Sequence, residues 1–312
     1  MENKLTNAIL SRRSASQLLA LGSASAILHP WFRPQKTLMM KKRTIPGTEE
    51  KIPVVGLGTW QTFDVGPTAA ERDPLKAVLE ILVKHGGSVI DSSPMYGRSE
   101  EVVGDLTTAL QVKDKIYEAT KVWTTGEAEG IHQMNTSIKL MKADPIDLMQ
   151  IHNLQDWRTH IKTLRQWKEE KKIRHIGITH YHKGGYEEME KIMTTEQIDF
   201  IQINYNAAVR DAAERILPLA QNKGIAVLIN RPFEGGALFR SVKGADVPQW
   251  VGEFGAQTWG QIFLKYILSH PAVTCVIPGT SKAKHMLDNV QAGFGDLPTA
   301  RQQKEVIKLL DS

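Results

Sequence analysis

Four titratable side chains fall at or just past the ends of three short apolar runs. Asp91 closes Val89-Ile90-Asp91, and Tyr96 follows in Ser92-Ser93-Pro94-Met95-Tyr96-Gly97. Lys121 closes Tyr117–Lys121, and His152 follows directly on Leu148–Ile151. Polar groups beside apolar runs are costly unless they pair with one another or are used. These four types together suit reduction of a carbonyl. Hydride addition to a carbonyl carbon leaves an alkoxide that needs a proton. A phenol with a pKa of about 10 is a weak donor unaided. A nearby ammonium lowers that value by stabilising phenolate. A carboxylate keeps the lysine charged and aimed, and a histidine opposite orients the carbonyl by a hydrogen bond. Tyr96, Lys121, Asp91 and His152 fill these roles in turn. Alone, His152 reads as a satisfied core histidine and Lys121 as a rim lysine; the four in this order are not so easily structural.

The elements that must position them alternate in type. Eight strand candidates are Val54–Leu57, Val89–Asp91, Tyr117–Lys121, Leu148–Ile151, His175–Ile178, Phe200–Ile203, Ala226–Leu228 and Thr274–Ile277. Several are near-continuous apolar runs, as strands buried on both faces require. Between them apolar residues recur at helical spacing: Leu75, Val78, Leu79 and Leu82; Ile161, Leu164 and Trp167; Ile216, Leu219 and Ala220; Ile262, Phe263, Tyr266 and Ile267. A last helical pattern runs from Thr299 to Leu310. Alternating strands and helices in a body of about 250 residues predict a single (β/α)8 TIM barrel, whose reactive groups lie at the C-terminal strand ends. A hairpin over Thr44–Ile52 is expected to cap its N-terminal face. The alternative is an open doubly wound sheet, which wants a Gly-x-Gly-x-x-Gly turn after its first strand. Gly56-x-Gly58 instead runs into Thr59-Trp60.

The chain has 312 residues and a net charge of +5, but that charge is uneven. Residues 1–43 carry +7 and the remainder −2. The body is near neutral, so charge makes no case for a nucleic-acid partner. The single cysteine, Cys275, excludes an intramolecular disulfide. Arg12-Arg13 precede a Leu/Ala/Gly/Ser stretch ending in Ala24-Ser25-Ala26, which resembles a twin-arginine signal peptide with a small-residue cleavage site. The stretch is too short and weakly apolar to serve as a membrane anchor. Residues 1–26 are therefore expected to direct export to the periplasm. Residues 27–43 form a Pro- and Lys/Arg-rich linker, and 44–312 the catalytic body. The other reading is an ordinary disordered or amphipathic N-terminus on a cytoplasmic protein.

From about residue 50 to 295 the chain resembles the aldo-keto reductases. The matching segments are Gly56-Leu57-Gly58-Thr59-Trp60, Asp91 to Tyr96-Gly97, Lys121-Val122-Trp123, Ile151-His152-Asn153, Ile173-Arg174-His175-Ile176-Gly177-Ile178, and Val276-Ile277-Pro278-Gly279-Thr280-Ser281 to Asn289. The resemblance implies a catalytic tetrad of Asp91, Tyr96, Lys121 and His152. It implies NADPH bound across the barrel mouth and a small-molecule carbonyl substrate, with no metal.

The resemblance also assigns cofactor positions. Pro278, Gly279, Thr280, Ser281 and Lys282 lead into a helix whose N-terminus suits the adenosine 2′-phosphate. His285 stands where many members carry arginine, and Asp288-Asn289 where Glu-Asn meets the adenine. Asn153 and Gln202 match contacts to the nicotinamide carboxamide. Thr179-His180 replaces a common Ser-Asn. Asn230-Arg231-Pro232-Phe233 replaces Tyr-Ser-Pro-Leu, removing the aromatic that stacks on the nicotinamide. Arg231 either faces the cofactor or bridges to an acid in the rim. Trp60 and Trp123 either line the substrate pocket or pack as ordinary rim residues. Gly235-Gly236, in a long loop from about Phe233 to Phe254, suits a flap over the pyrophosphate. The competing function is a non-catalytic binding or regulatory member of the same fold.

Overall fold

The computed structural model describes residues 39–311, so the expected leader and most of the expected linker lie outside the described residues. Eight parallel strands follow one another around a barrel: β3 (Leu57–Gly58), β4 (Val89–Asp91), β5 (Tyr117–Val122), β6 (Ile146–Ile151), β7 (Ile173–Thr179), β8 (Phe200–Asn204), β9 (Ala226–Asn230) and β10 (Cys275–Val276). Each pairs with its neighbour in sequence. Parallel bridges Val55–Val276 and Gly58–Gly279 join the first strand to the last. At this seam the Gly56 N–H donates to the Val276 carbonyl at 2.9 Å. Closure removes the two edges an open sheet would leave, so the doubly wound alternative does not apply. The expected runs Val54–Leu57 and Thr274–Ile277 shorten to two-residue strands because both lie at this seam, where isolated bridges replace a full ladder.

Parallel neighbours need crossovers, and helices supply them. They are α1 (Ala69–Lys84), α2 (Ser99–Ala109), α3 (Glu127–Met141), α4 (Trp157–Glu169), α5 (Tyr186–Thr195), α6 (Ile216–Lys223), α7 (Ala237–Ser241) and α8 (Trp259–Leu268), followed by α9 (Ala283–Gln291) and α10 (Ala300–Asp311). Among the described residues, no helix is long and apolar enough to cross a membrane. The expected long loop after Phe233 is built from short helical turns, and Leu238, Val251 and Phe254 anchor it in the core.

Two apolar clusters hold the barrel. One lies between strands and helices, through residues such as Leu79, Ile90, Leu164, Ile201 and Phe263. The other fills the interior, where Val89, Tyr117, Leu148, Phe200, Ala226 and Cys275 meet. Ile45 and Ile52 join this interior cluster from the hairpin β1 (Lys42–Thr44) and β2 (Lys51–Pro53). The hairpin therefore caps the N-terminal end. It begins two residues before the expected Thr44, because Lys42 and Arg43 pair with Pro53 and Ile52. The Arg43 guanidinium donates to the carbonyls of Leu268, His270 and Val273, satisfying backbone left over beyond α8.

The cap is expected to stabilise without touching the opposite end. Ile45 is fully buried, so Ile45→Ala should cost about 2–5 kcal/mol. That corresponds to roughly 2–4 °C of melting temperature per kcal/mol. Thermal denaturation measures the loss, and turnover well below the transition should stay unchanged. An unaltered melting temperature would remove the hairpin from the barrel core.

Candidate active site

Side chains on a strand alternate between faces, so the interior set can be followed two residues at a time. Val89 leads to Asp91, Ala119 to Lys121, Leu148 to Gln150, Phe200 to Gln202 and Leu228 to Asn230. The lower interior is thus apolar and the next layer toward the C-terminal ends is polar. Asp91, Lys121, Gln150 and Gln202 are all buried, Lys121 and Gln150 completely.

The Lys121 ammonium spends two of its three donors within the barrel. Nζ lies 2.6 Å from Asp91 Oδ2 and 2.6 Å from the Ser92 carbonyl. It also sits 5.0 Å from the centre of the Tyr96 ring. The other Asp91 oxygen, Oδ1, accepts from Gln150 Nε2 at 2.9 Å and Gln202 Nε2 at 2.8 Å. Thr59 holds the backbone behind it, its N–H and hydroxyl both donating to the Asp91 carbonyl. Burial works against the charged form of Lys121, but Asp91 and Tyr96 outweigh it and hold the ammonium above the ordinary lysine range.

Tyr96 departs from the expectation of a lowered phenol. Burial pushes it up; Lys121 pulls it down, and Asp91 works against Lys121. The net result is a phenol above its ordinary value, with burial the largest cause. The backbone turn that delivers Tyr96 depends on Gly97 at φ +60, where a Cβ would run into the Asp64 carboxylate.

His152 stands edge-on to Tyr96, with ring centres 5.7 Å apart at 87°, and 6.3 Å from Trp123. Its Nδ1 is 2.9 Å from Ser93 Oγ. Burial, then the charges of Lys121 and His180, press its pKa down to about 2. His152 is therefore a neutral imidazole at working pH.

The tetrad residues come together; the expected cofactor positions surround them unevenly. Thr179 ends β7 in the interior. The Gln202 amide nitrogen donates to Asp91 and, at 3.4 Å, to Gln150. Asn230 donates to the His180 carbonyl at 3.0 Å. Asn153 Oδ1 and Asn230 Oδ1 are buried acceptors with no donor among the described residues. Arg231 resolves toward the rim, its guanidinium paired with Glu234. Pro278 and Gly279 form the barrel seam. Thr280 Oγ1 accepts from the Lys282 N–H at 3.1 Å, where α9 begins. His285 lies in the first turn of α9, and Asn289 is buried one turn on. The Asp288 carboxylate takes the Thr258 hydroxyl and the Gln261 amide at 2.7 Å, tying α9 to the start of α8. Trp60 and Trp123 are 47% and 39% exposed, with Met95 at 37%, so they rim the mouth and are not core.

Sequence reasoning passed over Gln150 and Ser93. The period of two would have found Gln150, a polar residue between inward Leu148 and His152. Ser93 carried no signal, since nothing in spacing links it to His152. Among the described residues no group of three or more His, Cys, Asp or Glu is placed to hold a metal ion.

The depressed His152 has a consequence for stability. Its unfolded pKa is near 6.5 and its folded one about 2. Above the first value neither state is protonated. Below it the unfolded chain takes the proton first, so stability falls with pH through that window. Each such proton contributes up to about 1.4 kcal/mol per pH unit. Denaturant titrations between about pH 6 and 4 should therefore show a shallower slope for His152→Gln. Identical slopes would contradict a buried neutral histidine.

Comparison with known proteins follows the geometry. The family model described as the aldo/keto reductase family matches residues 54–306. Methylglyoxal reductase YeaE of Escherichia coli is 24% identical over 76% of this chain and 84% of its own length. An aldo/keto reductase from Klebsiella pneumoniae, solved with NADP and acetate, superposes with a TM-score of 0.71 at 23% identity, covering 86% of this chain and 95% of that one. A glycerol dehydrogenase from Gluconobacter oxydans gives 0.71 at 20% identity, over 86% and 94%. With a closed eight-stranded barrel and a family match over most of its length, this chain belongs to the aldo/keto reductase family.

Proposed function

We propose that this protein is an NADPH-dependent carbonyl reductase acting on small aldehydes or ketones, with Tyr96 as its general acid. The observation that carries the reading is the buried ammonium of Lys121, which Asp91 and the Ser92 carbonyl hold 5.0 Å from the centre of the Tyr96 ring. The residues present fit the cofactor. Two buried amide oxygens, of Asn153 and Asn230, have no donor among the described residues, and the amide N–H groups of a nicotinamide would suit such acceptors. Thr179, Pro278, Gly279, Thr280, Ser281, Lys282, His285 and Asn289 would hold the rest. NADPH, when bound, supplies the hydride that adds to the carbonyl carbon.

The chain's own residues handle the oxygen. The raised pKa keeps Tyr96 protonated at rest, as a donor must be. As the carbonyl π pair moves onto oxygen, the Tyr96 proton follows, giving the alcohol and a phenolate beside Lys121. The ammonium stabilises that phenolate until solvent returns the proton. The neutral imidazole of His152 donates to the carbonyl without competing for the acid's role. Trp60, Met95 and Trp123 give the mouth an apolar wall.

Tyr96→Phe keeps the ring and deletes the hydroxyl. It should lower kcat by about 10²-fold or more, with NADPH affinity, followed by nicotinamide fluorescence, nearly unchanged. Lys121→Met should be comparably damaging, and His152→Gln milder. Near-normal turnover of Tyr96→Phe would mean that the proton comes from elsewhere. The second reading, a non-catalytic binding member of the family, draws on Asn230 standing where the stacking aromatic is expected. It requires NADPH binding with no turnover of any simple aldehyde.

The leader extends the proposal to location. Arg12-Arg13 and the stretch to Ala26 fit export of an already folded protein by the twin-arginine route. A periplasmic reductase then needs a retained cofactor or a second electron source, since free NADPH is scarce there. Replacing both arginines by lysine should trap the full chain in the cytoplasm, read by fractionation. Unchanged distribution would make the leader irrelevant to location.

A further inference from the structure

We propose that Ser93 is a positioning residue that locks His152 in the tautomer protonated on Nε2. The argument is one of donors and acceptors, and it rests on the reductase reading only for its kinetic arm. The Ser93 side chain is fully buried and His152 is nearly so. Ser93 Oγ accepts the Met95 N–H at 3.4 Å and lies 2.9 Å from His152 Nδ1. A hydroxyl has one proton to give. Among the described residues, Nδ1 is the acceptor within reach of it. Were Nδ1 the protonated nitrogen, two donors would face each other or the Ser93 proton would be left without an acceptor, a buried polar group unsatisfied at real cost.

Nδ1 therefore accepts, and the proton of the neutral ring resides on Nε2. No hydrogen bond to Nε2 exists among the described residues, and it is not a buried orphan either. The ring stands 5.7 Å from that of Tyr96 and 6.3 Å from that of Trp123, between centres. The short relay from Met95 N–H through Ser93 to His152 thus turns backbone geometry into a donor aimed at the carbonyl. It also ties that donor to the loop that carries Tyr96. A serine at this position makes the two polar partners of the substrate oxygen move as one unit.

Long-range 1H–15N correlation on the labelled full chain separates protonated from bare ring nitrogens, with His152 assigned by comparison with His152→Gln. The wild type should show a protonated Nε2 and a bare Nδ1. Ser93→Ala should show mixed tautomers and a kcat lower by roughly tenfold, the scale of one hydrogen bond, with NADPH affinity unchanged. Ser93→Thr, which keeps the hydroxyl, should restore the single tautomer. A wild type protonated on Nδ1 would overturn the proposal. So would a Ser93→Ala protein that keeps the Nε2 tautomer, whatever its turnover. The ring signals do not depend on activity, so a chain that reduces no carbonyl would still decide the tautomer.

Discussion

A lysine ammonium and an aspartate carboxylate share the inside of this barrel at 2.6 Å, both removed from water. Such a pair is tolerated only when every remaining donor and lone pair is met, because breaking one partner out of a buried pair costs about 3–5 kcal/mol. Much of the upper interior follows from that demand. Gln150 and Gln202 are amides because Oδ1 of Asp91 needs donors. The Ser92 carbonyl turns inward because Lys121 has a second N–H to place. The ammonium then stands 5.0 Å from the centre of the Tyr96 ring. The proposed catalytic arrangement is thus a by-product of satisfying a charge, and the satisfaction draws on strands β4, β5, β6 and β8. A barrel brings non-adjacent strands to one layer; a flat sheet would spread the same residues apart.

Legibility in sequence tracked how many residues an element needs to announce itself. Strands buried on both faces are dense in apolar residues, and all eight were visible. Helices α4 and α8, with Trp157, Ile161, Leu164 and Trp167 or an almost wholly buried face, were equally plain. Helices α2 and α3 are less plain, because their apolar residues at helical spacing (Val102, Val103 and Leu106; Ile131, Met134, Ile138 and Met141) are interrupted by small and polar ones. Their buried faces hold Ser99, Glu100, Gly104 and Thr107, and Gly130 and Ser137. Those residues allow close approach: a Cβ on Gly104 would strike the backbone of Leu140. Buried Glu100 hydrogen-bonds Thr120 of β5. Contact between elements, not amphipathicity, determines such faces, so a one-dimensional pattern misses them.

The candidate site shows the same division. The tetrad could be read because it is made of rare residue types at strand ends. Ser93 could not, because its meaning lies in what it bonds across 59 positions of sequence; for Gln150 the period of two gives the facing, but not its bond to Asp91. The direction of the Tyr96 shift was likewise invisible. It depends first on burial, with Asp91 working against Lys121, all properties of the folded interior. Arg231 offered two destinations in sequence; the nearness of Glu234, held in turn by Asn206, selects the rim.

The polar layer and the loops above it answer to different constraints. The layer is a closed hydrogen-bond network, and exchanging a member leaves a buried group unpaired. The rim is free of that penalty, and it is where this chain departs from its family: Asn230 for an aromatic, His180 for asparagine. Asn230 is informative because it belongs to both regions. Its nitrogen is bound to the His180 carbonyl and reaches Gln202 at 3.4 Å, while its oxygen has no donor among the described residues. An aromatic there would hold a nicotinamide by stacking, worth about 0.5–1.5 kcal/mol for a ring pair. An unsatisfied buried acceptor offers a gain of similar size when a donor arrives. Losing the ring therefore does not require losing the proposed cofactor. A directed hydrogen bond to the Asn230 oxygen would then replace a face-on contact that is indifferent to rotation.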